Sequence, residues 1–305
     1  MDRRTFLKMQ AAGMLFAAAG PLLVLPRPAL ADGTPDISIV KGAPGTAARA
    51  AVEMLGGMSR FVKKGQRVVI KPNMSFASGI ENGTNTHPDV VRELVTMCKE
   101  AGASRIRVLD NVLQDPEQCL LRSGIRDACE SIESGICHAL MTASFYRDAD
   151  LPDALEMRSN GFMRDVLEAD VIIAAPAAKS HSSTGVTLSM KGQMGLVMDR
   201  QSMHSRYNLD AAIVDLNTRA RIALAVIDAS RVLSTGGPQG PGLVLKPGEV
   251  IASADPVAAD ATAVASYEWY GRRIQPRQVG HIRLAHERGL GRMDIENLVT
   301  KRITM

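Results

Sequence analysis

The sequence predicts an α/β fold: a mostly parallel sheet with helices on both faces, in one large domain or two interlocked lobes. Short β-rich runs alternate with helical patterns, the order that parallel strands joined by right-handed crossovers require. The run Asp170-Val171-Ile172-Ile173-Ala174-Ala175-Pro176 is apolar on both faces, as a central parallel strand must be. Pro88 and Pro256 stand where helices would open, and a missing N–H costs nothing there.

In chain order, residues 37–40 read as a first strand, followed by a helix over about 46–62 with Thr46 as its cap. A second strand over 67–71 is broken by Pro72 and leads into a Gly/Asn/Ser-rich loop, 73–86. The helix opened by Pro88 ends near Gly102, and 105–109 form a third strand. Short helices are expected over 116–122, 126–131 and 162–168, and a further one near 210–219. Strands follow at 222–227, ending at Asp228, and at 249–252. A long helix then runs from Pro256 to about Tyr270.

The first 31 residues read differently. The paired Arg3-Arg4 precede an apolar run from Met9 to Leu25 and the small-residue triplet Ala29-Leu30-Ala31. That arrangement predicts a twin-arginine signal peptide over 1–31, cleaved after Ala31, with the twin-arginine export machinery as partner and a periplasmic location. The other reading is an uncleaved anchor, but Gly13, Gly20 and Pro21 interrupt a run already short for a membrane span. No later apolar stretch is long enough to span a membrane. The segment carries four basic residues and one acidic residue, so its removal takes the net charge from +4 to +1. With no basic run, one Trp and four Tyr, a nucleic-acid partner is not expected.

Cys98, Cys119, Cys129 and Cys137 are widely spaced, without a C-x-x-C pair. They allow three disulfide pairings, buried free thiols, or a four-cysteine cluster that lacks the usual iron–sulfur spacing.

In open α/β sheets ligands bind beyond the carboxyl ends of the strands, so polar groups there are the site candidates. Lys71 and Asn73 follow the second strand; a lysine ending a buried strand must find an anion, in a structural ion pair or a ligand. Lys179, His181 and Lys191 lie close together in sequence, flanked by Thr184, Thr187 and Ser189. A histidine beside two cations stays neutral, which suits a general base or a metal ligand, though a solvated loop histidine has the same signature. His204 could converge on the same place. Asp228 ends a strand, and the loop containing Gly236 and Gly237 could offer backbone N–H groups to an anion or simply turn tightly. Asp255 reads as a helix cap with Asp260 five residues on, and His87 reads equally as a cap-region residue or a ligand. His281 and His286, at i and i+5, do not share a helix face.

These pieces together resemble the domain-of-unknown-function 362 family. They are Val69-Ile70-Lys71-Pro72-Asn73, Thr86-His87-Pro88, Lys179-Ser180-His181, and Met190-Lys191-Gly192-Gln193-Met194-Gly195. His204, Asp228, Gly236-Gly237-Pro238 and Asp255 to Asp260 follow in order. The resemblance implies an α/β fold and, in many exported members, a twin-arginine leader. Some relatives carry an appended ferredoxin-like cysteine cluster, which has no counterpart here. The segment from Lys191 to Gly195 with His204 is also similar, more weakly, to the nickel-dependent lactate racemases, where such a lysine and histidine contribute to a metallo-cofactor site.

The function expected is that of an exported enzyme taking an anionic small molecule in a Lys/His/Asp site. Lys179, His181, Lys191 and Asp228 would be catalytic. Lys71, Asn73, Thr187, Gly236 and Gly237 would bind a cofactor of unknown identity. His181 and His204 would hold a metal ion, with redox or isomerase chemistry to follow. The alternatives are a non-catalytic metal- or cofactor-binding maturation protein, and a purely structural role for the polar loops.

Overall fold

The computed structural model describes residues 33–151 and 153–305, so the expected signal peptide lies outside the described residues. The main sheet has the order β13-β1-β12-β10-β7-β2-β3-β4. In chain order the strands on this path are β1 (Ile37–Lys41), β2 (Arg67–Pro72), β3 (Arg105–Asp110), β4 (Cys137–Ala139), β7 (Val171–Ala175), β10 (Leu224–Leu233), β12 (Glu249–Ser253) and β13 (Thr300–Thr304), with β8 (Ala177–His181), β9 (Gly185–Thr187) and β11 (Val244–Leu245) joined to the sheet beside it. β10, β7, β2, β3 and β4 are successively parallel. β12 lies antiparallel to both β10 and β1, while β13 runs parallel to β1. The mostly parallel sheet expected from the sequence is therefore present, with β12 as the reversed strand on that path. A separate hairpin pairs β5 (Tyr146–Asp150) with β6 (Ser159–Met163).

Alternation along each strand divides the core in two. Val171, Ile173 and Ala175 face one apolar layer, Ile172 and Ala174 the other. The first layer is covered by α1 (Pro44–Met54), α2 (Pro88–Glu100) and α4 (Ile125–Glu130), with α3 (Pro116–Ser123) packed beside α4. The short α5 (Arg164–Glu168) leads into β7. The opposite layer holds α8 (Leu209–Arg219), α9 (Pro256–Ser266) and α10 (Gly280–Glu287), with the short α6 (Ser189–Gly192) and α7 (Arg200–Ser205). Helices on both faces follow from strands that carry apolar residues on both sides. Among the described residues no helix is long and apolar enough to cross a membrane.

Several boundaries differ from expectation for local reasons. α1 starts at Pro44, with Ala43 as its cap and Thr46 inside its first turn, and it ends before Gly56 and Gly57, whose φ of +100° and +79° stops it. Phe162 and Met163 belong to β6, and α5 begins only at Arg164. α9 stops at Ser266. β10 continues through Asp228 to Leu233, because Asp228 finds buried partners. The segment Ala177–His181 is a strand, β8, buried throughout despite its Lys, Ser and His.

All four cysteines are buried free thiols, and burial pushes the Cys98 thiol up to about 12. Cys137 sits against Met74 and Cys129 in the same core layer. They are packing residues here.

Asp215 on α8 is fully buried and ties segment 155–157 and Arg288 to that helix. It accepts hydrogen bonds from the N–H groups of Leu155, Glu156 and Met157 at 2.8–3.0 Å and from Arg288 at 2.7 Å. Asp215→Ala leaves those donors without their acceptor. It should lower stability by about 3–5 kcal/mol in urea unfolding, whereas an unchanged midpoint would show the network to be dispensable.

Candidate functional site

Pro176 separates β7 from β8, and that break opens the site. β2 runs beside β7 as far as Pro72 opposite Ala175. Beyond Pro176 the chain pairs with β10 and β9 (Gly185–Thr187) instead. The carboxyl ends of β2 and β3 therefore look into a cleft of about 670 Å³, at the place where such sheets bind ligands.

Lys71 and Asp110 form its inner wall. Both are buried, with Nζ 3.0 Å from Oδ1. Lys71 also donates to the Pro72 carbonyl, and Asp110 Oδ2 accepts from Met74 N–H at 3.1 Å and Ser75 Oγ at 2.7 Å. Gly195 packs against the pair: a Cβ there would lie 2.1 Å from Asp110 Oδ1 and 2.4 Å from Lys71 Cε. Of the two readings of Lys71, the ion pair is the one seen, and burial still pulls its ammonium below its ordinary range.

Lys179 stands on β8 directly across from Thr187 on β9, so both share a face with His181. Its ammonium donates to Thr84 O at 2.6 Å and lies 4.8 Å from the Phe76 ring centroid. Thr187 Oγ1 is buried with no hydrogen-bond partner among the described residues. Lys191, on α6, is buried beside Met194 Sδ at 3.4 Å. Among the described residues neither lysine, nor Arg200, has a salt bridge to a carboxylate; Asp110 acts on Lys179 and Asp210 on Lys191 only over longer range. Burial, reinforced by neighbouring cations, lowers Lys179 to about 7 and Lys191 to about 8.

His181 and His204 stack with ring centroids 5.9 Å apart and planes 13° from parallel. Burial first, and Lys191 next, drives His181 down to about 3, and the same two causes lower His204. Both imidazoles are neutral at pH 7. His181 Nδ1 accepts the Ser183 N–H at 3.1 Å, so its neutral ring carries the proton on Nε2 and is a donor. A metal-bound histidine instead donates its second N–H to an oxygen. Among the described residues no group of three or more His, Cys, Asp or Glu side chains is arranged to hold a metal ion. The residues present therefore do not fit a metal centre at His181 and His204.

Two other candidates lie outside the cleft. Asp228 does not line the cleft. Its carboxylate is spent on His87 N–H at 2.7 Å, Arg231 at 3.0 Å, and Ser230 N–H and Oγ at 2.9 and 2.6 Å. Gly236 and Gly237 make a tight turn packed on β8: the Gly237 N–H goes to Ser180 Oγ at 3.0 Å, and a Cβ at Gly237 would meet Ser180 O at 1.9 Å. Of this turn only Pro238 reaches the cleft. Asn73 does line the cleft, but its side-chain oxygen accepts from Ala177 N–H at 3.0 Å and fastens the loop to β8.

Asp255 caps α9 as expected, accepting from Val257 and Ala258 N–H, and His87 caps α2 through Asp89 N–H. His281 pairs with Asp210 and His286 with the Gly291 carbonyl, two separate places. Sequence reasoning missed Asp110, Arg200 and Phe76. Asp110 ends β3, so the strand-end rule that found Lys71 would have found it too. Arg200 is half-buried, with hydrogen bonds to Asn111 and the Val112 carbonyl at 3.3 and 3.1 Å; nothing local in sequence marks it.

Asp260 sets the position of Lys191. It is buried in α9, and its oxygens accept from Ser189 and Met190 N–H at 2.8 and 3.0 Å, holding the start of α6. Asp260→Ala should cost about 1–3 kcal/mol of stability and weaken anion binding in titration calorimetry; undiminished binding would show that α6 is held without it. The lysines also give a pH signature. With folded values near 7 and 8 against an ordinary 10.5, the unfolded chain binds more protons across that window, so apo stability should rise with pH there. Anion affinity should fall over the same window, and binding at pH 8 should take up protons, read as a buffer-dependent heat. Affinity unchanged from pH 6 to 9 would remove both lysines from binding.

A thylakoid-associated protein of Synechocystis is 26% identical over 149 residues, covering 49% of this chain and 44% of that protein. The chain thus spans less than half the length of that curated relative. The lactate racemase apoprotein of Thermoanaerobacterium thermosaccharolyticum superposes at a TM-score of 0.42 with 12% identity, covering 72% of this chain and 56% of that one. The family described as "Domain of unknown function (DUF362)" matches residues 68–265, from β2 into α9 and including every wall of the cleft named above, and the chain belongs to it.

Proposed function

We propose that this protein is an enzyme that binds an anionic small molecule in the cleft and moves a proton on it, an isomerase-type reaction. The observation that carries the reading is the uncompensated positive charge. Of the two carboxylates that line the cleft, Asp110 is committed to Lys71 and Asp199 caps α7 through the Ser202 N–H at 2.9 Å, while Lys179, Lys191 and Arg200 face the same space with no salt bridge to a carboxylate among the described residues. Buried cations in that state are costly, and a bound anion offsets the cost.

Lys179 and Thr187 would hold the anion, and the His181 Nε2–H would add a neutral donor. His204 is neutral and exposed at the mouth, fit to accept a proton, while Lys191 near 8 is fit to return one. The paired arginines and the Ala29-Leu30-Ala31 triplet support export of the chain to the periplasm. The non-catalytic binding or maturation reading uses the same cleft and differs only in turnover.

The test is titration with inorganic phosphate and with mono- and dicarboxylates, followed by NMR detection of solvent deuterium entering C–H bonds of the acids that bind. The expected result is binding lost in Lys191→Met, and deuterium wash-in lost in His204→Gln with binding retained. Binding without exchange would favour the non-catalytic reading. No binding of any anion would overturn both.

A further inference from the structure

Resting on that reading, we propose that the anion is amphipathic: a carboxylate or phosphate head held by the buried lysines and an unbranched apolar tail lying along the mouth of the cleft. Two independent features meet in one cavity. Its depth is cationic, as described. Its rim is open and carries an apolar group beside the exposed Asp199, Gln201 and His204: Leu113, Met141 and Met198 line it, yet remain 56%, 44% and 40% exposed.

Single exposed apolar residues are ordinary on any protein. Three large ones converging on the mouth of a charged cleft, continuous with buried Val112 and Met194 beneath them, are the pattern of a binding surface. The volume points the same way. About 670 Å³ is the size of a pocket for a drug-sized ligand and far exceeds what a small inorganic anion fills. Three of the apolar lining residues are methionines, whose unbranched side chains adapt to a flexible chain better than β-branched residues do. The occupant is a free small molecule and not a bilayer, because the cations lie buried below the rim, where a headgroup still anchored in a membrane does not reach.

The experiment is a chain-length series: acetate, butyrate and octanoate, with inorganic phosphate and octyl phosphate as the second head group, titrated into the full chain by calorimetry. Affinity should rise by up to about fourfold for each methylene that the rim covers, making octanoate at least about tenfold tighter than acetate. The paired change Leu113→Ser and Met198→Ser, at exposed positions that leave the core intact, should abolish that gain and leave acetate binding unchanged. The rise appearing with only one head group would identify which anion is taken. Equal affinity for acetate and octanoate, or a gain that survives in the double variant, would overturn the tail. Co-sedimentation with phosphatidylglycerol vesicles without octanoate binding would assign the rim to a membrane and overturn it as well. Failure of every anion, short or long, would instead strike the cationic site itself.

Discussion

The ion pair between Lys71 and Asp110 is the constraint on which the rest of the site depends. It joins the ends of two adjacent parallel strands where a buried ammonium and a buried carboxylate would each be untenable alone. Because Asp110 also takes the N–H of Met74 and the hydroxyl of Ser75, the loop leaving β2 is fastened to the end of β3. Gly195 can approach only because it has no side chain, and its carbonyl then accepts the Asn111 N–H at 2.7 Å. The turn carrying Lys191 is thereby pulled against the sheet from one side, as Asp260 holds it from the other.

This arrangement explains why positive charge is left over. The protein supplies two carboxylates to the cleft wall and spends Asp110 on the lysine nearest the sheet and Asp199 on the N-terminus of α7. The outer lysines are held by uncharged partners, Lys179 by a carbonyl and an aromatic face, Lys191 by a thioether. Those contacts fix position without cancelling charge. A carboxylate placed beside either lysine would make the apo protein more comfortable and fill the space meant for a ligand.

β1, β2, β3, β7, β10 and β12 were legible because burial in the sheet forces apolar runs such as 171–175, whereas the short β4 and β9 and the exposed β13 left no such run. The helices opened by Pro88 and Pro256 were legible from proline and cap chemistry. β8 escaped, since Ala-Ala-Lys-Ser-His has no strand periodicity and Lys179 and Ser180 find their hydrogen-bond partners in the distant Thr84 and Gly237. Lys71, Lys179, His181, Lys191 and His204 were found because each sits at or beyond a strand end or beside another candidate. Asp228 misled for the same reason in reverse: a polar residue inside a strand resembles one that ends it until its partners His87 and Arg231 are seen. The fine chemistry of His181 rests on a single backbone N–H, from Ser183, and no sequence pattern announces which ring nitrogen that contact occupies.

One feature of the sheet bears on how such a chain comes to exist. β1 pairs with β12 at a separation of more than two hundred residues, Ser38 against Ala252, and on its other side with β13, Ile37 against Thr300. The first strand of the described chain therefore waits for the last. During synthesis β1 stays unpaired until residues 249–253 and 300–304 have emerged, and such non-local pairing is intrinsically slow. Losing residues 300–304 would strip β13 away and leave β1 as a bare edge, open to pairing with another copy. β13, remote in sequence from every residue of the cleft, thus covers β1 and puts the charged Lys301 and Arg302 at the sheet edge in its place.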